Sequence, residues 1–192
     1  APAGAYESCA YGVAGAAGGV QQVGHILADV HRASLWTGSA SSWVDLNPTG
    51  ASFSSTLGIS GGPDGGQQVG YAFVGGANHA SLWSGSAASW VDLNPANATH
   101  SQAYAVGDGQ QVRMVILGDT GCTQASLWCG SAASWVSLSP PFGTCYSIAL
   151  GVADGQQVGW VNHGGSEFAS LWSGSAASWV KPAPCRSDLR FA

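Results

Sequence analysis

The chain is poor in charge, in methionine and in long apolar runs, and each shortage excludes something. Its 192 residues include 5 Lys+Arg, 10 Asp+Glu and a single Met, and only 8% are charged, where an ordinary globular chain has about 25%. So few basic residues give no electrostatic footprint for nucleic acid, whose binding rests on neutralising phosphates and releasing counterions. No apolar run approaches the ~18–20 residues of a membrane span, so no membrane insertion is expected. No stretch repeats its apolar residues at the 3.6-residue spacing of a helix. Catalytic signatures are missing too: there is no G-x-S-x-G, no H-E-x-x-H and no phosphate loop. The five cysteines, Cys9, Cys122, Cys129, Cys145 and Cys185, form no C-x-x-C pair, so neither a metal site nor a cofactor is expected.

What is present is repetition. "ASLWTGSASSWVDLNP" from Ala33 returns as "ASLWSGSAASWVDLNP" from Ala80, "ASLWCGSAASWVSLSP" from Ala125 and "ASLWSGSAASWVKPAP" from Ala169. A second phrase, "QQV", starts at Gln21, Gln67, Gln110 and Gln156, at intervals of 46, 43 and 46 residues. The tryptophans Trp36, Trp83, Trp128 and Trp172 recur at 47, 45 and 44. A period in the forties carrying β-type segments is the signature of propeller blades.

Each unit divides into four short extended runs rich in Val, Leu, Trp and Tyr. In the second they are "TLGIS", "QQVGYAFV", "ASLWSG" and "SWVDLNP", separated by the Gly, Asn and Pro of turns. Asp-Gly joins the first two runs in later units and supplies the positive φ of a tight hairpin. Gly12, Gly58, Ala105 and Gly151 put a small residue at one place in every first strand, as convergence on a crowded axis requires. The expected fold is therefore all-β: a four-bladed β-propeller of four repeats of about 46 residues, each with four antiparallel strands. It forms one domain over 1–192, with units at 5–48, 52–95, 101–140 and 146–182 and a tail at 183–192. A β-solenoid of open hairpins is the alternative.

"GQQVGYAFVGGANHASLWSGSAASWVDLNP" resembles the HAF-type extracellular repeat of bacterial secreted and surface proteins. The family's Gly-Gln-Val-Val-Gly-like strand corresponds to Gly66–Gly70, its His-Ala-Phe-Leu-Trp to His79–Trp83 and its Asp-Leu-Gly-like ending to Asp92–Asn94. Only the second unit carries the His; the others have Arg32, Gln124 and Phe168, and Ser81 replaces the family's Phe. The resemblance implies a β-propeller-like extracellular module and no defined activity.

Scattered cysteines fit disulfides in an oxidising compartment. The chain opens on "APAG" with no basic-then-apolar leader, which suits the residues after a signal-peptidase cut. Asn97-Ala98-Thr99 is a glycosylation acceptor. A secreted protein is expected. In a closed ring Cys9 and Cys185 meet, Cys122 and Cys145 lie in loops of the same face, and Cys129 remains as a free thiol.

The loops before each "ASLW" differ between units, whereas "GSAAS" and "DGQQ" barely change, so a specific site is expected on the varied face. Its candidate ligand-binding residues are His31, Arg32, Asn78, His79, Trp160, His163 and Glu167. The paired tryptophans would suit sugar stacking, but filling space between sheets is the favoured role. Repeated Gln side chains are expected to satisfy backbone at turns. Catalysis would need a symmetry-breaking cluster among Glu7, Asp29, His31, Arg32, His79, His100, Asp119, His163 and Glu167, and no enzyme is expected. The favoured function is a secreted recognition module for glycans or cell-surface material. The alternative is a self-assembling subunit of an extracellular fibre or surface layer.

Overall fold

The computed structural model describes residues 2, 4–16, 19–62 and 66–182. The chain forms four antiparallel sheets, one per repeat. The first holds β1 (Glu7–Ala16), β2 (Gly19–Leu27), β3 (His31–Trp36) and β4 (Val44–Asp45). The second holds β5 (Phe53–Ile59), β6 (Gln68–Val74), β7 (Ala77–Trp83) and β8 (Val91–Asp92). The third holds β9 (Ala98–Gly107), β10 (Gln110–Leu117), β11 (Thr123–Trp128) and β12 (Val136–Ser137). The fourth has three strands, β13 (Ser147–Ala153), β14 (Gln156–His163) and β15 (Ser166–Trp172).

The fourth sheet departs from the expected four strands for a reason visible in the chain. In the other units the last strand runs on through a backbone donor, Leu46 N to Ala33 O, Leu93 N to Ala80 O and Leu138 N to Ala125 O, each at 2.8 Å. The equivalent residue is Pro182, which has no N–H to give. Pairing stops at one bridge, Leu171 with Val180.

The repeated phrase is explained by hydrogen bonds within each unit. "GSAAS" is a single 3₁₀ turn rather than a simple hairpin, at Ala40–Ser42, Ala87–Ser89, Ala132–Ser134 and Ala176–Ser178. Its final serine closes it: Ser89 Oγ accepts from Ser84 N at 2.8 Å and donates to Ser86 O at 2.7 Å. The "SLW" serine holds the tryptophan beyond the turn. Trp43, Trp90, Trp135 and Trp179 donate Nε1 to Ser34, Ser81, Ser126 and Ser170 at 2.9, 2.9, 3.0 and 2.9 Å. The second glutamine of each "QQV" accepts from the backbone of that turn, as with Gly85 N to Gln68 Oε1 at 2.7 Å.

Successive sheets stack front to back. The front of the first sheet offers Val23, Ala33, Leu35 and Leu46, and Trp83 from the back of the second fills the space above them, flanked by Trp90 and Ile59. Trp128 and Trp135 repeat this on Val69, Ala80, Leu82 and Leu93. Trp172 and Trp179 repeat it on Val112, Ala125, Leu127 and Leu138. The "SLW" tryptophans are thus core, as packing between sheets predicts. A serine clasp accompanies each contact. Ser54, Ser101 and Ser147 accept from Ala33, Ala80 and Ala125 N at 3.0, 2.9 and 2.9 Å across the gap. Ser54 and Ser101 then donate to Asn47 and Asn94 Oδ1, both at 2.6 Å.

First strands converge as the small residues require. A Cβ on Gly58 would lie 2.2 Å from Tyr104 O of the third sheet, so that backbone approach admits glycine alone. Every first strand bulges out of register at the same place, Tyr11, Leu57, Tyr104 and Leu150, and β9 does so again at Thr99. The Asp-Gly turns take the expected left-handed pair, Asp108 and Gly109 at φ 52° and 73°, Asp154 and Gly155 at 50° and 71°.

Among the described residues the first and fourth sheets do not pack together as a closed ring requires. No strand of the first packs on one of the fourth as successive sheets pack on each other, and Val158 at the centre of the fourth front face is 49% exposed where Val23, Val69 and Val112 are at 0%. Cys9 carries a free thiol, and the Cys9–Cys185 bridge expected from ring closure falls on Cys185, outside the described residues. Cys122 and Cys145 are bridged, as expected, across a separation of 23 residues. Cys129 is free and exposed, and Asn97 sits exposed in the turn before β9.

Two measurements test this packing. Ser101→Ala orphans Ala80 N and Asn94 inside the second interface and should cost about 1–3 kcal/mol in urea unfolding. Reducing Cys122–Cys145 should lower stability by about 3 kcal/mol, from the chain entropy of the loop it closes.

Candidate functional site

The residues that break the repeat converge in one place. The bulges turn Tyr11 and Tyr104 toward the gaps between the first three sheets, and β2 and β6 bring His25 and Tyr71 to matching positions. Together with His31, Ser55, Leu57 and Gln102 they line a cleft of about 660 Å³, the size of an ordinary small-molecule site. The His25 ring lies 5.5 Å from Tyr11 and 4.5 Å from His31, centroid to centroid. Its Nδ1 is 3.4 Å from Ser55 Oγ. Beside the cleft the Arg113 guanidinium covers the Tyr104 ring at 3.5 Å, a cation–π contact.

Burial disfavours the charged forms of three groups in the cleft, Tyr11, His25 and Tyr71. Burial raises the Tyr71 phenol above its ordinary range, with Tyr104 adding to the shift. Burial, then Cys9, raises Tyr11. Burial lowers the His25 imidazole, with a further push from His31. The result is a surface of aromatic faces, phenolic and serine hydroxyls, an amide and a neutral imidazole.

At its edge Glu7, Cys9 and His25 bring a carboxylate, a thiol and an imidazole within 4.8 Å of one another. Those donors suit a borderline cation such as zinc. A cleft of about 480 Å³ at the hairpin-turn end is lined by glycine backbone with Ser60, Gln67, Ser84 and Asp108, and offers no aromatic face.

Of the residues singled out from sequence, His31 alone lines the aromatic cleft. Arg32 bonds Asp45 at 2.9 Å and lies 3.7 Å from Asp29. His79 meets Asp92 at 2.8 Å. These are two members of one series, because Gln124 accepts from Ser137 at 2.7 Å and Lys181 sits 3.3 Å over the Phe168 ring. The position is a strut between the third strand of each unit and the segment that follows its 3₁₀ turn, refilled each time with a complementary pair. Asn78 buries its Oδ1 without a partner. In the fourth unit Trp160 packs on Tyr146 at 5.2 Å and His163 edge-on to Phe142 at 4.8 Å, while Glu167 is exposed. The structure does not bring these seven together. Tyr11, Tyr71, Tyr104, His25 and Gln102 were not singled out as binding residues, although comparing His25, Tyr71, Met114 and Trp160 across units marks the position.

No known protein family matches the chain, and no curated protein matches it. Among solved structures it is similar to a mutant of Aleuria aurantia lectin in complex with α-methyl-L-fucoside, at 15% identity and a TM-score of 0.47, over 92% of this chain and 59% of that one.

The lowered His25 fixes the sign of a pH effect. Its unfolded form takes up protons near 6.5 and its folded form only at lower pH, so its contribution is complete above 6.5 and is lost as pH falls through the folded value. Thermal melts from pH 7.5 to 5 should show Tm falling, and His25→Gln should flatten part of that fall.

Proposed function

We propose that the chain is a non-catalytic, secreted recognition module whose four units are propeller-type blades, and that its cleft binds a neutral glycan. The observation that carries this reading is a cleft lined without carboxylate, lysine or arginine: Tyr11, Tyr71 and Tyr104 offer ring faces for the apolar side of a pyranose, while Ser55, Gln102, His25 and His31 offer donors and acceptors for its hydroxyls. Among the described residues the one His–carboxylate ion pair, His79 with Asp92, belongs to the strut series rather than to the cleft, which supports a role without catalysis. The Cys122–Cys145 bridge fits an oxidising compartment, and no helix among the described residues is long and apolar enough to cross a membrane. An extracellular setting also agrees with the resemblance to HAF-type repeats.

Saturation-transfer NMR with a panel of neutral methyl pyranosides tests the cleft. At least one should receive saturation from the protein, Tyr104→Ala should weaken its binding at least tenfold, and Trp160→Ala should leave it unchanged. Transfer to none of them, or transfer lost in Trp160→Ala and kept in Tyr104→Ala, would overturn the assignment.

A further inference from the structure

The two end sheets carry opposite halves of an interface that the chain already makes three times. On the back of each later sheet, Ser54, Ser101 and Ser147 are buried against the sheet before, as are Thr56, Ala103 and Ala149 one step along. Their counterparts on the first sheet, Ser8 and Ala10, are exposed. On the front, Ala33, Ala80 and Ala125 are buried beneath the next unit, while Ala169 is exposed. Val158, at 49% exposure, repeats the pattern of Ala169, and Leu150 and Val180 widen that apolar patch.

A ladder of amides follows the same logic. Gln111 Nε2 donates to Gln67 Oε1 at 3.3 Å, and Gln157 Nε2 to Gln110 Oε1 at 2.8 Å, each crossing from one sheet to the sheet before. The series leaves Gln22 at one end and an exposed Gln156 at the other.

We propose that the chain associates head to tail with a second copy, the back of one first sheet seated on the front of the partner's fourth. That contact places Ser8 against Ala169 N, as the clasp serines sit at all three internal contacts, and Gln22 against Gln156, as the glutamines sit at the second and third, and it covers Val158 and Leu171. A second copy fits because one chain supplies both surfaces in matching register; an unrelated partner would have to reproduce the serine, the glutamine and their spacing. The contact is weaker than its internal models. The sequence has Pro182 and Ala183 where the first two units have Leu and Asn, so Ser8 finds no Asn to complete the clasp. Trp36 and Ile26 on the first back face already lie buried, at 8% and 3%, so the gain is cover for the fourth sheet's apolar face rather than for a bare indole. The association is accordingly reversible and concentration-dependent. Being heterologous, it closes or runs on according to the rotation between copies. Two copies give eight sheets, at the top of the usual range of about four to eight blades.

Sedimentation velocity over a wide concentration range, in reductant to exclude Cys129 cross-links, tests this independently of what the cleft binds. The wild type should rise from the mass of one chain, 19.3 kDa, toward twice that mass or more. Val158→Asp spoils every front and Ser8→Arg every back, so each variant alone should remain at one chain. An equimolar mixture should associate again, because one intact front then meets one intact back. Both positions are exposed, and unchanged melting curves would verify the folds. A wild type of constant mass, association that persists in either variant alone, or a mixture that fails to associate would each overturn the proposal. Pyranoside binding by the same variants reads the cleft separately.

Discussion

The structure depends on an indole pressed onto the apolar face of the sheet before it. Trp83, Trp128 and Trp172 are fully buried in this way, each ring taking some 150–250 Å² out of water. Their Nε1 atoms find no partner, a penalty of about 1–3 kcal/mol apiece that the burial has to exceed. The neighbouring indoles are tied to serines instead, which fixes the outer edge of each unit. With little charge and short strands, no other element supplies comparable area. Serine clasps at all three gaps and glutamine rungs at the second and third then set register, since an apolar contact alone would let sheets slide.

This division of labour places variation. Positions that build the contacts between sheets repeat from unit to unit, so difference accumulates where no such contact is made. Bulged Tyr11 and Tyr104 have that freedom, and so do the β2 and β6 positions of His25 and Tyr71. Because the bulges lie where first strands converge, side chains from three units reach one cleft without any long loop. Burial at the same place disfavours the charged forms of Tyr11, Tyr71 and His25, so the geometry that gathers the groups also sets their chemistry.

Much of the fold was legible because repetition within one chain exposes its own rules. The third unit's first strand begins at Ala98, before the expected 101, but the division into four repeats of antiparallel strands, the Asp-Gly turns and the small residues at Gly58 and Gly12 follow from matching units, and the Cys122–Cys145 bridge from two loops placed on one face. Three features did not. The shortness of β4, β8 and β12 is hidden because "SWVDLNP" reads as one extended run, while only its Val-Asp pair joins the ladder and the Leu donates one further bond. The open ends depend on the rotation between sheets, a quantity that no residue type reports, although Pro182 was a visible sign that the fourth unit ends differently. The cleft is not legible in the loops before "ASLW", because the side chains that vary there, Arg32 and His79, are occupied by their own neighbours.

Those neighbours have a consequence for how such a chain can change its length. Arg32 with Asp45, His79 with Asp92, Gln124 with Ser137 and Phe168 with Lys181 are each complementary inside one unit. At this position every unit therefore supplies its own partner and leaves none across a junction. Recombination that drops or duplicates a whole unit strands no ion and orphans no partner at this position, and the new junction meets the same valines, serines and glutamines as the old. Copy number is free to drift by whole repeats while the pairs diverge together inside each one.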